Sequence, residues 1–505
     1  MSMRLSLKPS SRMVILVDMN LGNSIRSGTK WLFAGNLGGQ LLQFAFGVAL
    51  ARLLVPADFG LLVTVQIFTG FAGFIAGGGT GQALVQAREV EKRDYQVVFT
   101  IQLLIGFLIY GFFFIAAPWF ADWFGQPLYV DLFRVSAISF LLRPFVNVPG
   151  ALLQRAMRFK ASAIVATATS VISGMVSIIL ASYGWGVWSL VLGGLLGSLL
   201  SAVLLLRVAA WVPRFSMDRE IASRLGSYGF KVSLNSIVEY VRSQIPNLVA
   251  TRLMGTVAVG LYNKAASLNV MPMSIIGSSP YQAVFRALAQ TQDNLDQSKY
   301  IYLRTMTLVV VYTLPFNVGL AWLAEPFISV VYGDKWLGVV QPLQILVISV
   351  LFRCVTNPAG AVLEARNLLT QELRIQLETL ALLAIGCLLG YRWGISGIAW
   401  ASVAGSVYAC LRTASVANSR LGVSHIELLR ALKPGLILNG LLFASLLLAD
   451  SFWPADLAKA DSAYYLFIMS GIGGLVYTAS FLYLPMRETE AEAARWKLWL
   501  GLTRA

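Results

Sequence analysis

The chain has 505 residues, of which 57% are hydrophobic and only 12% charged, and its mean hydropathy is +0.70. That is membrane composition: at about 20 apolar residues per spanning helix, the length holds roughly a dozen or more spans and excludes a soluble catalytic or binding domain. Lys and Arg outnumber Asp and Glu 39 to 24, a net charge of +15, which in a membrane protein points to lipid headgroups rather than nucleic acid as the first anionic partner.

Residues 1–30 carry five basic side chains and one short apolar stretch, Met13 to Val17, too short for a signal-peptide core, so this segment reads as a basic cytoplasmic tail. Apolar runs bounded by charge, Gly/Pro or polar turns then predict about fourteen spanning helices. They begin near Trp31, Phe59, Tyr95, Leu128, Ala161, Trp185, Gly226, Gly260, Ile301, Gly338, Gln371, Gly394, Gly435 and Tyr464. The expected fold class is an all-α polytopic membrane protein: six helices over 31–210, six over 226–417, an accessory pair over 435–484, and a cytoplasmic tail over 485–505. In that tail charges alternate with Trp496, Leu498 and Trp499, as in an amphipathic surface helix or a solvated segment. Basic residues in alternating loops split 29 to 5, which places both termini in the cytoplasm. The remaining five, Arg134, Arg143, Arg242, Lys264 and Arg353, fall at membrane depth.

Several chemistries are missing. Cys354, Cys387 and Cys410 lie in apolar stretches, so neither a disulfide framework nor a metal site is expected. The single histidine, His425, can build neither a zinc site nor a histidine-dependent triad. There is no phosphate-binding loop of the GxxxxGK[ST] type and no Asp-x-Asp pair, so neither an ATPase nor a glycosyltransferase is encoded. No enzyme activity, catalytic residue, cofactor or metal is expected.

The chain repeats itself. Ala51-Arg52-Leu53-Leu54 with Gly60-Leu61 recurs as Thr251-Arg252-Leu253-Met254 with Gly260-Leu261, and Gln82-Ala83 as Gln282-Ala283. Pro118 and Gly125 match Pro326 and Gly333; Arg143, Asn147 and Gly150-Ala151 match Arg353, Asn357 and Gly360-Ala361; Trp185-Gly186 and Gly197-Ser198 match Trp393-Gly394 and Gly405-Ser406. An ordered series that includes Arg, Asn, Gln and Trp is not expected from chance among apolar residues. Six helices per copy is an even number, so the copies are parallel repeats, suited to alternating access around a central cavity.

The turn Ala51-Arg52-Leu53-Leu54-Val55-Pro56-Ala57-Asp58-Phe59-Gly60, with Gly81-Gln82-Ala83-Leu84-Val85-Gln86 after it, resembles the polysaccharide transporter family. These are Wzx-type flippases of the multidrug/oligosaccharidyl-lipid/polysaccharide exporter superfamily. Gly260-Leu261-Tyr262-Asn263-Lys264-Ala265-Ala266 looks like the same family's signature between the seventh and eighth helices, although Val55 stands where family members commonly have Gly. The resemblance runs from about Thr29 to the C-terminus. It implies an inner-membrane protein that moves an oligosaccharide on undecaprenyl pyrophosphate to the outer leaflet for exopolysaccharide, capsule or O-antigen synthesis. The polysaccharide polymerase and export machinery are then candidate partners.

An anionic cargo also suits the residues. Arg143, Arg242, Lys264 and Arg353 are candidates for drawing a pyrophosphate into the cavity, against the alternative of snorkelling or packing. Asn36, Gln40 and Gln43 share one face of the first helix, and Asn235, Glu239 and Arg242 one face of the seventh, as cavity-lining groups for sugar hydroxyls or as interhelical hydrogen bonds. Glu239 is a coupling candidate unless it pairs with Arg242. Two rival functions are a cation-coupled drug exporter, which needs a cavity carboxylate that the first helix lacks, and a membrane enzyme of lipid-linked glycan assembly. The longest outward connection, about Pro118 to Leu128, is short for such an enzyme.

Overall fold

The computed structural model describes residues 37–77, 79–87, 89–291, 293–453, 462–484 and 486–502, with the side chains of all of these except 82, 225–236 and 275–283. The tail 1–30, Asn36 and the side chain of Asn235 lie outside that set. The described residues form helices and connections without strands. In chain order the helices begin with α1 (Leu37–Leu53), α2 (Pro56–Gly77), the short α3 (Thr80–Gln86), α4 (Lys92–Phe124), α5 (Tyr129–Ala137) and α6 (Ser139–Arg155). They continue with α7 (Phe159–Ser182), α8 (Val187–Ala209), α9 (Arg219–Met254), α10 (Thr256–Gln290), α11 (Leu295–Trp322), α12 (Ala324–Tyr332) and α13 (Val340–Ala365), the last entered through a 3-10 turn at Asp334–Val339. Then come α14 (Leu369–Gly390), α15 (Gly394–Leu421), α16 (His425–Ser451), α17 (Ser462–Tyr483) and α18 (Glu490–Trp499).

Ten of the described stretches are long and apolar enough to cross a membrane, so the protein is a multi-pass membrane protein. One of them, Leu369–Leu421, is itself two helices, α14 and α15, joined by a 3-10 turn at Tyr391–Trp393. At 36 and 35 residues α9 and α10 exceed spanning length too, but polar side chains interrupt their apolar character.

The chain forms two compact units, one of Met1–Leu53 with Thr69–Leu234, the other of Leu54–Phe68 with Asn235–Ala505. The boundary thus cuts through α2 and α9, whereas the sequence reading separated the halves between residues 210 and 226. In the first unit α4, α5 and α6 share an aromatic core. Phe113 lies 5.7 Å from Phe133 and 6.0 Å from Phe140, with nearly parallel rings, and Phe120 lies 4.6 Å from Phe133. Helix α4 starts on a capping box of Glu91 and Asp94, and Asp94 also accepts from Arg224 at 3.0 Å. Arg155 donates to the carbonyls of Leu84, Val85 and Ala87, satisfying the open C-terminal end of α3.

In the second unit α10, α11, α13 and α15 enclose the core around Tyr302, Met306, Val362 and Leu363. The hydroxyl of Tyr302 donates to Asn418 at 3.0 Å. Lys299 binds both Glu427 (2.8 Å) and the Gly422 carbonyl (3.1 Å), fastening the α15–α16 connection to α11. The C-terminal segment is a helix, α18, held against α11: Arg304 binds the Glu488 carbonyl and Glu492, and the Trp496 indole donates to the Tyr312 hydroxyl at 2.8 Å. Also within this unit, α2 and α10 meet backbone to backbone. A Cβ on Gly60 would lie 1.8 Å from the Thr256 carbonyl oxygen, and one on Gly260 would lie 2.0 Å from that of Pro56, so only glycine fits either position.

Local geometry repeats along with the sequence. Met157 (φ 52°) and Asn367 (φ 56°), the residues after the two matching helix ends, both adopt left-handed backbone. Around them Arg158 N–H donates to Leu153 at 2.9 Å and Leu368 N–H to Leu363 at 2.8 Å, the same turn twice. Positive φ also recurs at Gly125 and Gly333, and at Gly186 and Gly394.

Candidate functional site

The cationic groups read from sequence fall into three settings. In the first unit, Arg143 on α6 donates from Nη1 to the Gly73 carbonyl at 3.0 Å and lies over the Phe140 ring at 5.0 Å from its centroid. It borders a cleft of about 530 Å³ between α6, α7 and α8, whose walls include Asn147, Thr169, Ser170, Ser198 and Ser201. Asn147 reaches Gln102 at 3.4 Å, and Gln102 donates to Thr80 at 2.8 Å, so one wall belongs to a polar chain leading to α3. Hydroxyls and amides around a single guanidinium suit a ligand that combines sugar hydroxyls with a negative charge. The hydroxyl wall escaped the sequence reading, although Gly194, Gly197, Ser198 and Ser201 recur at helical spacing on α8 and already form a small-residue stripe.

In the second unit, Arg353 on α13 feels the charges of Arg242 and Glu239 on α9. Neither arginine is in an ion pair among the described residues, and no hydrogen bond joins Glu239 to Arg242. Glu239 is exposed while both arginines are half-buried. Tyr262 on α10, another electrostatic neighbour of Arg353, is fixed by a 2.8 Å hydrogen bond with Ser402.

Lys264 is placed differently. Its ammonium lies 4.8, 4.7 and 5.0 Å from the ring centroids of Phe59, Tyr332 and Trp336, three rings from α2, α12 and the 3-10 turn before α13. Trp336 is fully buried and meets Phe59 edge-on at 5.2 Å. The rings engage the charge and hold the three segments around it.

Gln40 on α1 is half-buried and Gln43 exposed. No group of three or more His, Cys, Asp or Glu side chains that could hold a metal occurs among the described residues.

Against this geometry, the family described as "Polysaccharide biosynthesis protein" matches residues 49–341, more than half of the chain. The chain belongs to that family. Among relatives of this family member, the lipopolysaccharide biosynthesis protein WzxC of Escherichia coli is 23% identical over 354 residues, covering 69% of this chain and 71% of the relative. The succinoglycan biosynthesis transport protein ExoT of Rhizobium meliloti is 26% identical over 321 residues, or 63% of each. Among solved structures, the inward closed conformation of the lipid II flippase MurJ superposes with a TM-score of 0.74 at 15% identity, covering 90% of this chain and 98% of that one. The family member therefore has the fold of that flippase.

Proposed function

We propose that the protein is a flippase for lipid-linked oligosaccharide units in the bacterial inner membrane, with both termini and the loop Arg207 to Lys231 cytoplasmic. Family membership, relatives named for polysaccharide transport, and the fold shared with a lipid flippase support this reading. The observation that carries the mechanism is the pair Arg242 and Arg353, two half-buried guanidiniums in one unit with no ion-pair partner among the described residues. An arginine at the bilayer centre costs about 2.5–3.5 kcal/mol even on the lenient insertion scale, and a bound pyrophosphate offsets that cost through bidentate contacts. Within the other unit, Arg143 and its hydroxyl-lined cleft form a separate candidate contact surface for sugar hydroxyls. Counting every spanning candidate, including α1, α9 and α10, the layout is fourteen spans. Transport consists of exposing these cationic groups alternately to the two membrane faces.

The test is replacement of Arg242 and Arg353 together by Ala in cells that depend on the protein for surface glycan. Export is expected to stop while the protein stays in the membrane, and lipid-linked units are expected to accumulate in the cytoplasmic leaflet. Normal export by the double variant would remove the mechanism.

A further inference from the structure

Helices α14 and α15 border a cavity of about 420 Å³ where α14 begins and α15 ends, lined by none of the groups discussed above. Its lining includes Gln371 and Arg374 from α14, and Arg412, Ser419 and Arg420 from α15. Arg412 and Arg420 stand eight residues apart on one face of α15, just as Gln371, Arg374 and Glu378 share a face of α14. This end of the two helices belongs to the set of connections that holds the basic excess, which the positive-inside rule assigns to the cytoplasmic leaflet.

One carboxylate organises the cluster. Glu378 accepts from Arg374 Nε at 2.9 Å through one oxygen, and from Arg412 Nε at 3.2 Å and the Tyr408 hydroxyl at 2.8 Å through the other. Because Glu378 grips both guanidiniums at Nε, it leaves their terminal Nη groups, the fork that binds phosphate oxygens, off the carboxylate. Arg420 is in no ion pair among the described residues. Three guanidiniums against one carboxylate leave two positive charges around a cavity of headgroup size. An internal ion pair explains why Glu378 touches two arginines, but not the third arginine or the space between them.

We propose that this cavity binds the phosphate-bearing headgroup of an anionic membrane phospholipid. The apolar surface selects lipid over free phosphate: the same two helices expose Leu377, Leu382, Ile385 and Leu411, on which acyl chains can lie. Glu378 acts as a positioning residue that turns the two forks toward the headgroup.

The test uses the purified full-length protein and native mass spectrometry after incubation with phosphatidylglycerol or phosphatidylcholine. The anionic lipid is expected to be retained in preference to the zwitterionic one, and millimolar inorganic phosphate should not displace it. Arg420→Ala breaks no ion pair and is expected to weaken retention roughly fivefold, the equivalent of about 1 kcal/mol for one arginine at a membrane surface. Glu378→Gln separates orientation from charge, because it raises the local positive charge yet releases both forks; weaker retention supports the site. Four results would overturn the proposal: equal retention of both lipids, unchanged retention by Arg420→Ala, tighter retention by Glu378→Gln, or displacement of the lipid by inorganic phosphate.

Discussion

Arg143 and Arg353 occupy the same place in the two repeats, each with an asparagine four residues on and each followed by the same left-handed turn, yet their neighbours differ. Arg143 is held by the Gly73 carbonyl and the Phe140 ring beside a hydroxyl-lined cleft, and Asn147 joins a chain of amides. Arg353 sits among other charged groups, and the Asn357 amide reaches the sulfur of Met273 at 3.8 Å. The repeated backbone fixes where a charge stands along its helix, and the packing of non-repeated side chains decides what that charge can do. Duplication has thus provided two arginines at matching sequence positions, one clasped by neutral groups and one in an electrostatic cluster.

Single substitutions test this contrast most directly. Arg353→Ala is expected to cut glycan export by roughly ten- to a hundredfold, the range for a lost charge-assisted hydrogen bond to phosphate. Arg143→Lys should cost far less than Arg143→Ala, because a carbonyl and a ring accept an ammonium as well as a guanidinium. Equal losses for Arg353→Ala and Arg143→Lys, with equal protein in the membrane, would erase the distinction.

The glycine crossing offers a test in which the halves should behave alike. Gly60→Ala and Gly260→Ala each force a methyl group into a backbone carbonyl and should each destabilise the protein by about 1–3 kcal/mol, read as a lower unfolding temperature in detergent. A loss at one position only would show that the contact is not reciprocal. Lys264→Met keeps the stem but removes the charge from the three rings. It should lower stability by about 0.5–2 kcal/mol, with little change if the rings pack equally well around a thioether.

The smallest expected effect lies in the repeated turn. A left-handed backbone costs a side-chain-bearing residue about 1–2 kcal/mol, and asparagine tolerates it better than methionine. Met157→Gly should therefore raise the unfolding temperature more than Asn367→Gly. The opposite order would mean that the Met157 side chain contributes packing that outweighs its strain.

Much of this fold was legible in the sequence because apolar length and charge asymmetry are properties of contiguous stretches. Helix starts read near Phe59, Tyr95, Ala161, Trp185 and Gln371 fall within three residues of the starts of α2, α4, α7, α8 and α14, and the one near Ile301 falls six residues into α11. The break between α5 and α6 was hidden because it falls inside one apolar run, whereas α12 and the 3-10 turn before α13 were hidden because Glu325, Asp334 and Lys335 give that stretch the composition of a connection. Membrane-depth charges were visible one at a time, but their partners were not. Gly73 precedes Arg143 by 70 residues, and the rings around Lys264 lie at 59, 332 and 336, so only the folded chain brings them together. The composition of the C-terminal segment suits a surface helix and a solvated tail equally, and it is Arg304 and Tyr312 of α11, distant in sequence, that hold it in place.

The crossing of α2 and α10 has a consequence for how the gene can change. Each repeat's glycine faces the carbonyl four residues before the other repeat's glycine, so a methyl group acquired in one copy collides with backbone contributed by the other. No side-chain adjustment relieves such a collision. After the duplication the two copies were free to diverge around Arg143 and Arg353, but at Gly60 and Gly260 each copy is held by the other's backbone, so a change in both adds a second collision and both positions must remain as they are.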